Sequence, residues 1–409
     1  MSKLHQIILA INAFSVGLMV PVLNLVLLSK GASFQTLPLL LAIYAVTVLI
    51  LELPSGICAD LYGRKAVFLL SCGFYFISFL IIIMANNMAA LVFAIAFSGL
   101  GRSFSSGSLD ALMIDQALDK NGEGCLAGVT TRMAVIEGGA LAVGGIAGGI
   151  LADANSAYLI NLALREVFIA VLFILCLVFI KEQPVHQKEQ RIPLIDHIRK
   201  SKQVILSTPQ FGFILPGIFF TGFFLCTVET YWQPAFMQIP NGQNSTWILG
   251  VITFLAFLAV TLGNIIAQRL LNKHSNREWH FYKFFRIIFA VFILIFAFQK
   301  SIIGFMAWYA GVYLLLGASN IAESTLVNKL TPNHMRASVL SLNSFTTQIG
   351  VLIASLFSSI MIEWLQIAGV WLAAGGLLGG YATFVAVATY KREYESDMSL
   401  QQSAFLEKE

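Results

Sequence analysis

Four carboxylates stand where carboxylates are rare. Asp110, Glu137, Glu229 and Glu323 each lie inside a long apolar run. A carboxyl group in poorly hydrated surroundings can hold a proton near neutrality or bind a cation, because little water competes for its charge. Glu229 occurs in TVETYWQP, Thr227 to Pro234, beside Tyr231 and Trp232. It could carry a proton, bind a cationic solute, or snorkel to water from an aromatic belt. Asp110 shares a narrow small and polar helix face with Ser103 and Gly107. Arg102 precedes Asp110 by about 12 Å along a helix axis. Arg132 accompanies Glu137, and Asp115 follows Asp110. Neutral polar groups add to the set: Asn12, and Gln348 in line with Ser341 and Ser344. The six histidines all fall outside the apolar runs, so any proton relay through them rests on carboxylates. The five cysteines show no metal-ligand spacing.

The elements that carry these residues follow from composition. Of 409 residues, 58% are hydrophobic and 11% charged; an ordinary soluble domain has about a quarter charged. A polytopic membrane protein remains. Apolar stretches fall near 6–29, 35–57, 66–86, 89–117, 125–152, 157–180, 208–236, 247–271, 282–299, 302–328, 338–362 and 366–389. At such lengths the spanning form is the α-helix, which satisfies its own backbone. The first run is too long for the core of a signal peptide and reads as a permanent span. With both termini on one side, that side collects all of the 25 Lys and Arg residues but five. Lys30 and Lys300 fall on the other side, and Arg102, Arg132 and Arg165 lie within spans. The bias places both termini in the cytoplasm. Lys283 and Arg286 count here as cytoplasmic-side residues. The many phenylalanines, Phe219, Phe220, Phe223 and Phe224 among them, could line an apolar pocket, but more than half of the 33 are expected to face lipid.

The chain divides into a six-span unit over 1–181, a cytoplasmic linker over 182–207, a second six-span unit over 208–390, and a tail over 391–409. The linker alternates apolar and basic residues, as an amphipathic helix on a membrane surface does. The halves echo each other. Asp110 and Asp115 are five apart in the fourth span, and Glu323 and Asn328 five apart in the tenth.

Between spans two and three runs GICADLYGRK, with Gly56, Asp60, Gly63, Arg64 and Lys65. Glycines there permit close helix approach and a tight turn, and an acid beside two bases can form and break ion pairs. Arg64 and Lys65 also obey the positive-inside rule by themselves. This loop resembles the signature of the major facilitator superfamily, and the preceding ELPSG resembles the form in bacterial drug/proton antiporters. RSFSSG from Arg102 is similar to the superfamily's fourth-span arginine motif, with the glycine one residue further on. In span five, Gly138, Ala142, Gly145 and Gly149 form a small-residue stripe that permits tight packing, and Gly144, Gly145, Gly148 and Gly149 resemble the antiporter motif, with Gly145 where a proline is expected.

The resemblance implies an all-α membrane protein of twelve helices in two pseudo-symmetric six-helix bundles. It implies a cavity lined by spans one, four, seven and ten, and proton-driven export of amphipathic or cationic molecules such as drugs. Uptake of a small metabolite is the alternative on the same fold. Asp110, Glu137, Glu229 and Glu323 would bind protons or substrate, aided by Arg102, Trp232, Asn12 and Gln348. Asp60, Asp115, Arg132, Arg64 and Lys65 would close the inner side; an ordinary interfacial ion pair is the alternative for Asp115 and Arg132. The expected setting is the bacterial cytoplasmic membrane. The expected partners are a small-molecule substrate, protons and lipid, without nucleic acid or a cofactor, around a monomer. No hydrolase elbow or phosphate loop argues for an enzyme.

Overall fold

A computed structural model describes residues 3–106, 108–122, 126–154, 158–180, 208–240, 242, 245–274, 277–331 and 336–406. Within these, side chains at 53, 60, 115, 118–121, 126–127, 336–338, 340–341 and 390–406 are not described. The linker 182–207 lies outside the described residues, as do Gly107 and the side chains of Asp60, Asp115 and Ser341.

The described chain is helical throughout its ordered elements. These are α1 (Lys3–Gly17), α2 (Leu23–Ser29), α3 (Thr36–Tyr62), α4 (Arg64–Met84), α5 (Met88–Ser105), α6 (Leu109–Asn121), α7 (Leu126–Ala154) and α8 (Leu159–Phe179). After the linker come α9 (Phe211–Met237), α10 (Trp247–Lys273), α11 (Glu278–Phe296), α12 (Ile302–Leu330) and α13 (Arg336–Leu406). Nine described stretches are long and apolar enough to cross a bilayer. The last, Leu342–Thr389, is 48 residues, about 72 Å if straight, far more than a bilayer core. It is broken at Gln366, where φ is 55°. Its arms run antiparallel along α9: Ser355 meets Cys226, whereas Trp371 bonds the Thr227 carbonyl and Tyr381 the Phe213 carbonyl. That stretch therefore crosses twice. Thr36–Glu52 adds an apolar segment in α3, and α1 with α2 completes twelve crossings.

Two expected spans are interrupted. The first breaks between Gly17 and Leu23, at Pro21, which lacks an N–H and cannot continue a helix. The fourth breaks after Ser105 and restarts at Leu109, so Asp110 falls in the first turn of a new helix. Its counterpart α12 runs on through Glu323 without interruption. Pseudo-symmetry in sequence is thus not symmetry in backbone.

Each half has its own core. One joins Ile8, Phe68, Met113, Met133, Leu172 and neighbours within residues 8–180. The other runs from Phe211 to Val385 and takes in Leu25 from the first half. Phe223 and Phe224 are buried and Phe219 and Phe220 half-buried. For these four the inward reading is favoured over lipid: α9 packs against both arms of α13 and, more lightly, against α12, α2 and α3.

The bundles meet mainly through α7 against α10 and α3 against α13. On α7, Gly145 and Gly149 abut Gly250, Thr253 and Trp247. Gly138, two turns from Gly145 on the same face, has nothing within 4 Å. No substantial contact joins α6 to α10 or α12 among the described residues. The bundles are therefore closed at the end remote from the chain termini, called the far end below. Toward the end that carries the termini α7 loses its close approach to α10, while α3 and α13 still touch through Glu52 and Ser344.

Candidate functional site

The most tightly built polar cluster is in the second bundle. Arg286 on α11 is fully buried and pairs with Glu323 on α12. Its Nη1 also donates to the Gly217 carbonyl at 2.9 Å and to Thr221 at 3.2 Å, both on α9. The guanidinium lies 4.9 Å from the Tyr282 ring centre and 5.9 Å from that of Tyr381. The two phenols bond each other at 2.7 Å. One cation thus ties four spans together, and a planar guanidinium suits this because it donates in several directions at once. Counting Arg286 as a cytoplasmic-side residue is corrected: it lies within a span, facing inward. The signal was present in the sequence. Tyr282, Arg286, Phe289 and Ile293 fall at i, i+4, i+7 and i+11, one buried helix stripe with an arginine inside it. Lys283, one residue on, points elsewhere and donates to Thr389.

The first bundle holds a looser set. Asp110 and Glu137 lie within electrostatic reach of each other and of Arg102. Arg102 and Asp110 are exposed and Glu137 is half-buried. The break in the fourth span brings Arg102, at the end of α5, and Asp110, at the start of α6, to the same region; the amide dipoles at the α6 N-terminus favour a carboxylate there. Glu137 is seven residues before Gly144, so it shares the face of α7 that packs on α1. Two carboxyl groups thus share one arginine in this set. Asn12 is half-buried, and its carbonyl accepts a bond from Ser15.

Glu229 lies within electrostatic reach of Trp232 and Tyr309. It is half-buried, whereas Trp232 is sealed in the core, its ring tilted against Tyr309 with centres 5.1 Å apart. Trp232 therefore shapes the Glu229 pocket and offers no surface to the cleft in this conformation. Around Glu229 the far end is clasped. Asn24 Nδ2 donates to the Glu229 carbonyl at 2.6 Å and to Gln233 Oε1 at 2.8 Å, and Gln233 Nε2 donates to the Val20 carbonyl at 3.0 Å. Asn161 on α8 meets the Leu18 carbonyl from the other side. The Val20 and Leu18 carbonyls, beside the break at Pro21, accept two of these bonds, so the break supplies part of the clasp. Gln233 was not singled out by type or spacing. An Asn24→Leu protein should lose about 1–2 kcal/mol of far-end closure. Amides of Leu18, Met19, Val20 and Val22 should then exchange with deuterium about ten-fold faster; unchanged exchange would rule the clasp out.

The loop motif takes a definite form. Gly63 ends α3 with φ 90°, a value that L side chains rarely adopt, and α4 starts at once at Arg64. Lys65 reaches the Leu177 carbonyl of α8 at 2.9 Å, within its own bundle. Arg64 is half-buried, Gly56 and Arg132 are exposed. Across the bundles, Ser344 donates to Glu52 at 3.2 Å, and Gln348, one turn further along α13, is half-buried. On α7 the glycines divide by face. Gly144 and Gly148 touch Phe14, Gly17 and Leu18 of the same bundle, while Gly145 and Gly149 touch the other bundle.

The family model described as Major Facilitator Superfamily matches residues 7–318 and 244–405. An uncharacterized MFS-type transporter, YxaM of Bacillus subtilis (strain 168), is 28% identical over 261 residues, 62% of this chain and 64% of that protein. The chain thus matches less than two thirds of that relative's length. Among solved structures, the nucleoside transporter NupG aligns with a TM-score of 0.75 at 16% identity, covering 94% of this chain and 99% of that one. A bacterial homolog of the human lysosomal transporter Spinster, in an inward-facing and unoccupied conformation, aligns at 0.68 and 12% identity, covering 95% and 96%. At these identities the likeness concerns the fold.

Proposed function

The chain belongs to the Major Facilitator Superfamily, and from that premise we propose that it is a proton-coupled transporter exporting amphipathic or cationic small molecules by alternating access. It is a multi-pass membrane transporter and not an enzyme. The observation that carries the finer reading is the excess of one carboxylate in the Arg102, Asp110 and Glu137 set of the first bundle. A membrane-embedded site with surplus negative charge favours a cation, whether a proton or a cationic solute, over an anion. Competition between the two for the same carboxylates would couple opposite fluxes. Glu229 and Glu323 are the second-bundle carboxylates in this reading. Asp60, Asp115, Arg132 and Arg64 act as the network that seals the terminal end when it closes. The termini lie in the cytoplasm of a bacterial cell, and the monomer is the working unit.

Uptake of a small metabolite is the second reading, favoured by the likeness of fold to a nucleoside transporter. Everted vesicles separate the two. Export predicts accumulation of a fluorescent lipophilic cation inside, abolished by a protonophore. Asp110→Asn or Glu137→Gln should each lower that accumulation at least ten-fold while leaving the amount of folded protein unchanged. Accumulation that persists at full rate in both variants would remove the first-bundle set from coupling.

A further inference from the structure

A recess of about 540 Å³ lies between the terminal-end halves of α10 and α12. Gln268 and Asn272 line it from α10, Ser324 and Thr325 from α12, over a floor of Leu271 and Ile321. Its rim carries Glu278, whose charge is met by Lys329 at 2.8 Å. The lining therefore offers two carboxamides, the Ser324 hydroxyl, which also accepts from Asn328, and the Thr325 oxygen as an acceptor, its proton being given to the Ile321 carbonyl, with the Glu278 charge balanced by Lys329. Such a surface recognises hydroxyl and amide groups and gives an ion no counter-charge.

The position of the recess follows from helix periodicity. Gln268 is 18 residues from Gly250, five turns along α10 and on the same face. That face packs against Gly149 of α7 at the far end. Thr131 is likewise 18 residues from Gly149, on the matching face of α7. The recess thus looks into the cleft, and the terminal half of α7 must cover it when this end closes.

We propose that this recess is a binding site for a neutral, hydroxyl- or amide-rich molecule of nucleoside or disaccharide size, and that its occupant holds the terminal end open. The inference does not rest on proton coupling or on the direction of transport. It uses residues apart from the carboxylate sets, so it stands or falls separately from them.

The test uses the full chain in lipid nanodiscs with three probes: uridine, maltose and tetraphenylphosphonium. At least one neutral probe should bind saturably to the wild-type protein, and spin labels on the terminal ends of α7 and α10 should report a larger share of the open state. In Gln268→Ala/Asn272→Ala the affinity should fall about ten-fold or more, from the loss of two side chains' hydrogen bonds. Gln268→Glu keeps the shape but adds a charge, so it should weaken the neutral probe and strengthen tetraphenylphosphonium. Absence of saturable binding by both neutral probes overturns the proposal. So does binding that neither Gln268 variant changes, or binding that leaves the label distances unchanged.

Discussion

A Glu323→Ala protein should lose about 3–5 kcal/mol of stability, the cost of leaving a buried guanidinium without its counter-charge. Arg286 is fully buried and its partner nearly so. The bonds to Gly217 and Thr221 satisfy donors but do not neutralise charge. Thermal unfolding in nanodiscs would show the loss as a markedly lower midpoint. The pair's two roles separate in the double variant Arg286→Met/Glu323→Leu. Replacing both charges with apolar groups of similar volume should restore most of the stability, since the desolvation cost of both ions disappears. If Glu323 also carries a coupling proton, the double variant should fold and yet lose gradient-driven transport at least ten-fold. A double variant that is stable and fully active would reduce the pair to an anchor for α9.

The second large effect concerns the glycines of α7. A Cβ on Gly149 would lie 2.5 Å from the Gly250 nitrogen and 2.8 Å from the Trp247 carbonyl, both in the other bundle. Gly149→Val should therefore leave each bundle folded but prevent the far end from closing. A Cβ on Gly138 meets nothing within 4 Å here, but it would stand on the surface that must close at the opposite end. Gly138→Val should thus be stable and arrested in the opposite sense. Both should cut transport at least ten-fold, with midpoints within a few degrees of wild type. Spin-label distances at the two ends should shift in opposite directions. Gly148→Val differs in kind: its side chain would collide with the Leu18 carbonyl inside one bundle, so it should fail to accumulate as folded protein. Equal conformational shifts in the Gly149 and Gly138 variants would defeat the account.

Much of this was readable in one dimension. A bilayer acts as a solvent, and a run of apolar residues responds to it locally, so span number and the charge asymmetry of the loops follow from the order of residues alone. The carboxylates Asp110, Glu137, Glu229 and Glu323 stood out for the same reason: each is a charge in the wrong solvent. The small-residue stripe of α7 and the turn at Gly63 were likewise local signals. Local hydropathy did not show the broken backbone of the first and fourth spans, because a break in a membrane is tolerated only where partners meet the freed groups.

Those partners come from far away in the chain. Arg286 and Glu323 are 37 residues apart, and Asn24 and Gln233 are 209 apart. Which face a helix turns inward, and what stands opposite, depends on packing between helices that no local window contains. Arg286 therefore looked like one more basic residue near a membrane edge, and Trp232 looked like a binding group. Tertiary structure alone made the first a buried anchor and the second a wall. It also divided one run of glycines between two interfaces. The sequence by itself determined the solvent of each segment and the few charges that must be explained; only the folded arrangement decided which of them are paired, which face the cleft, and which end of the molecule is open.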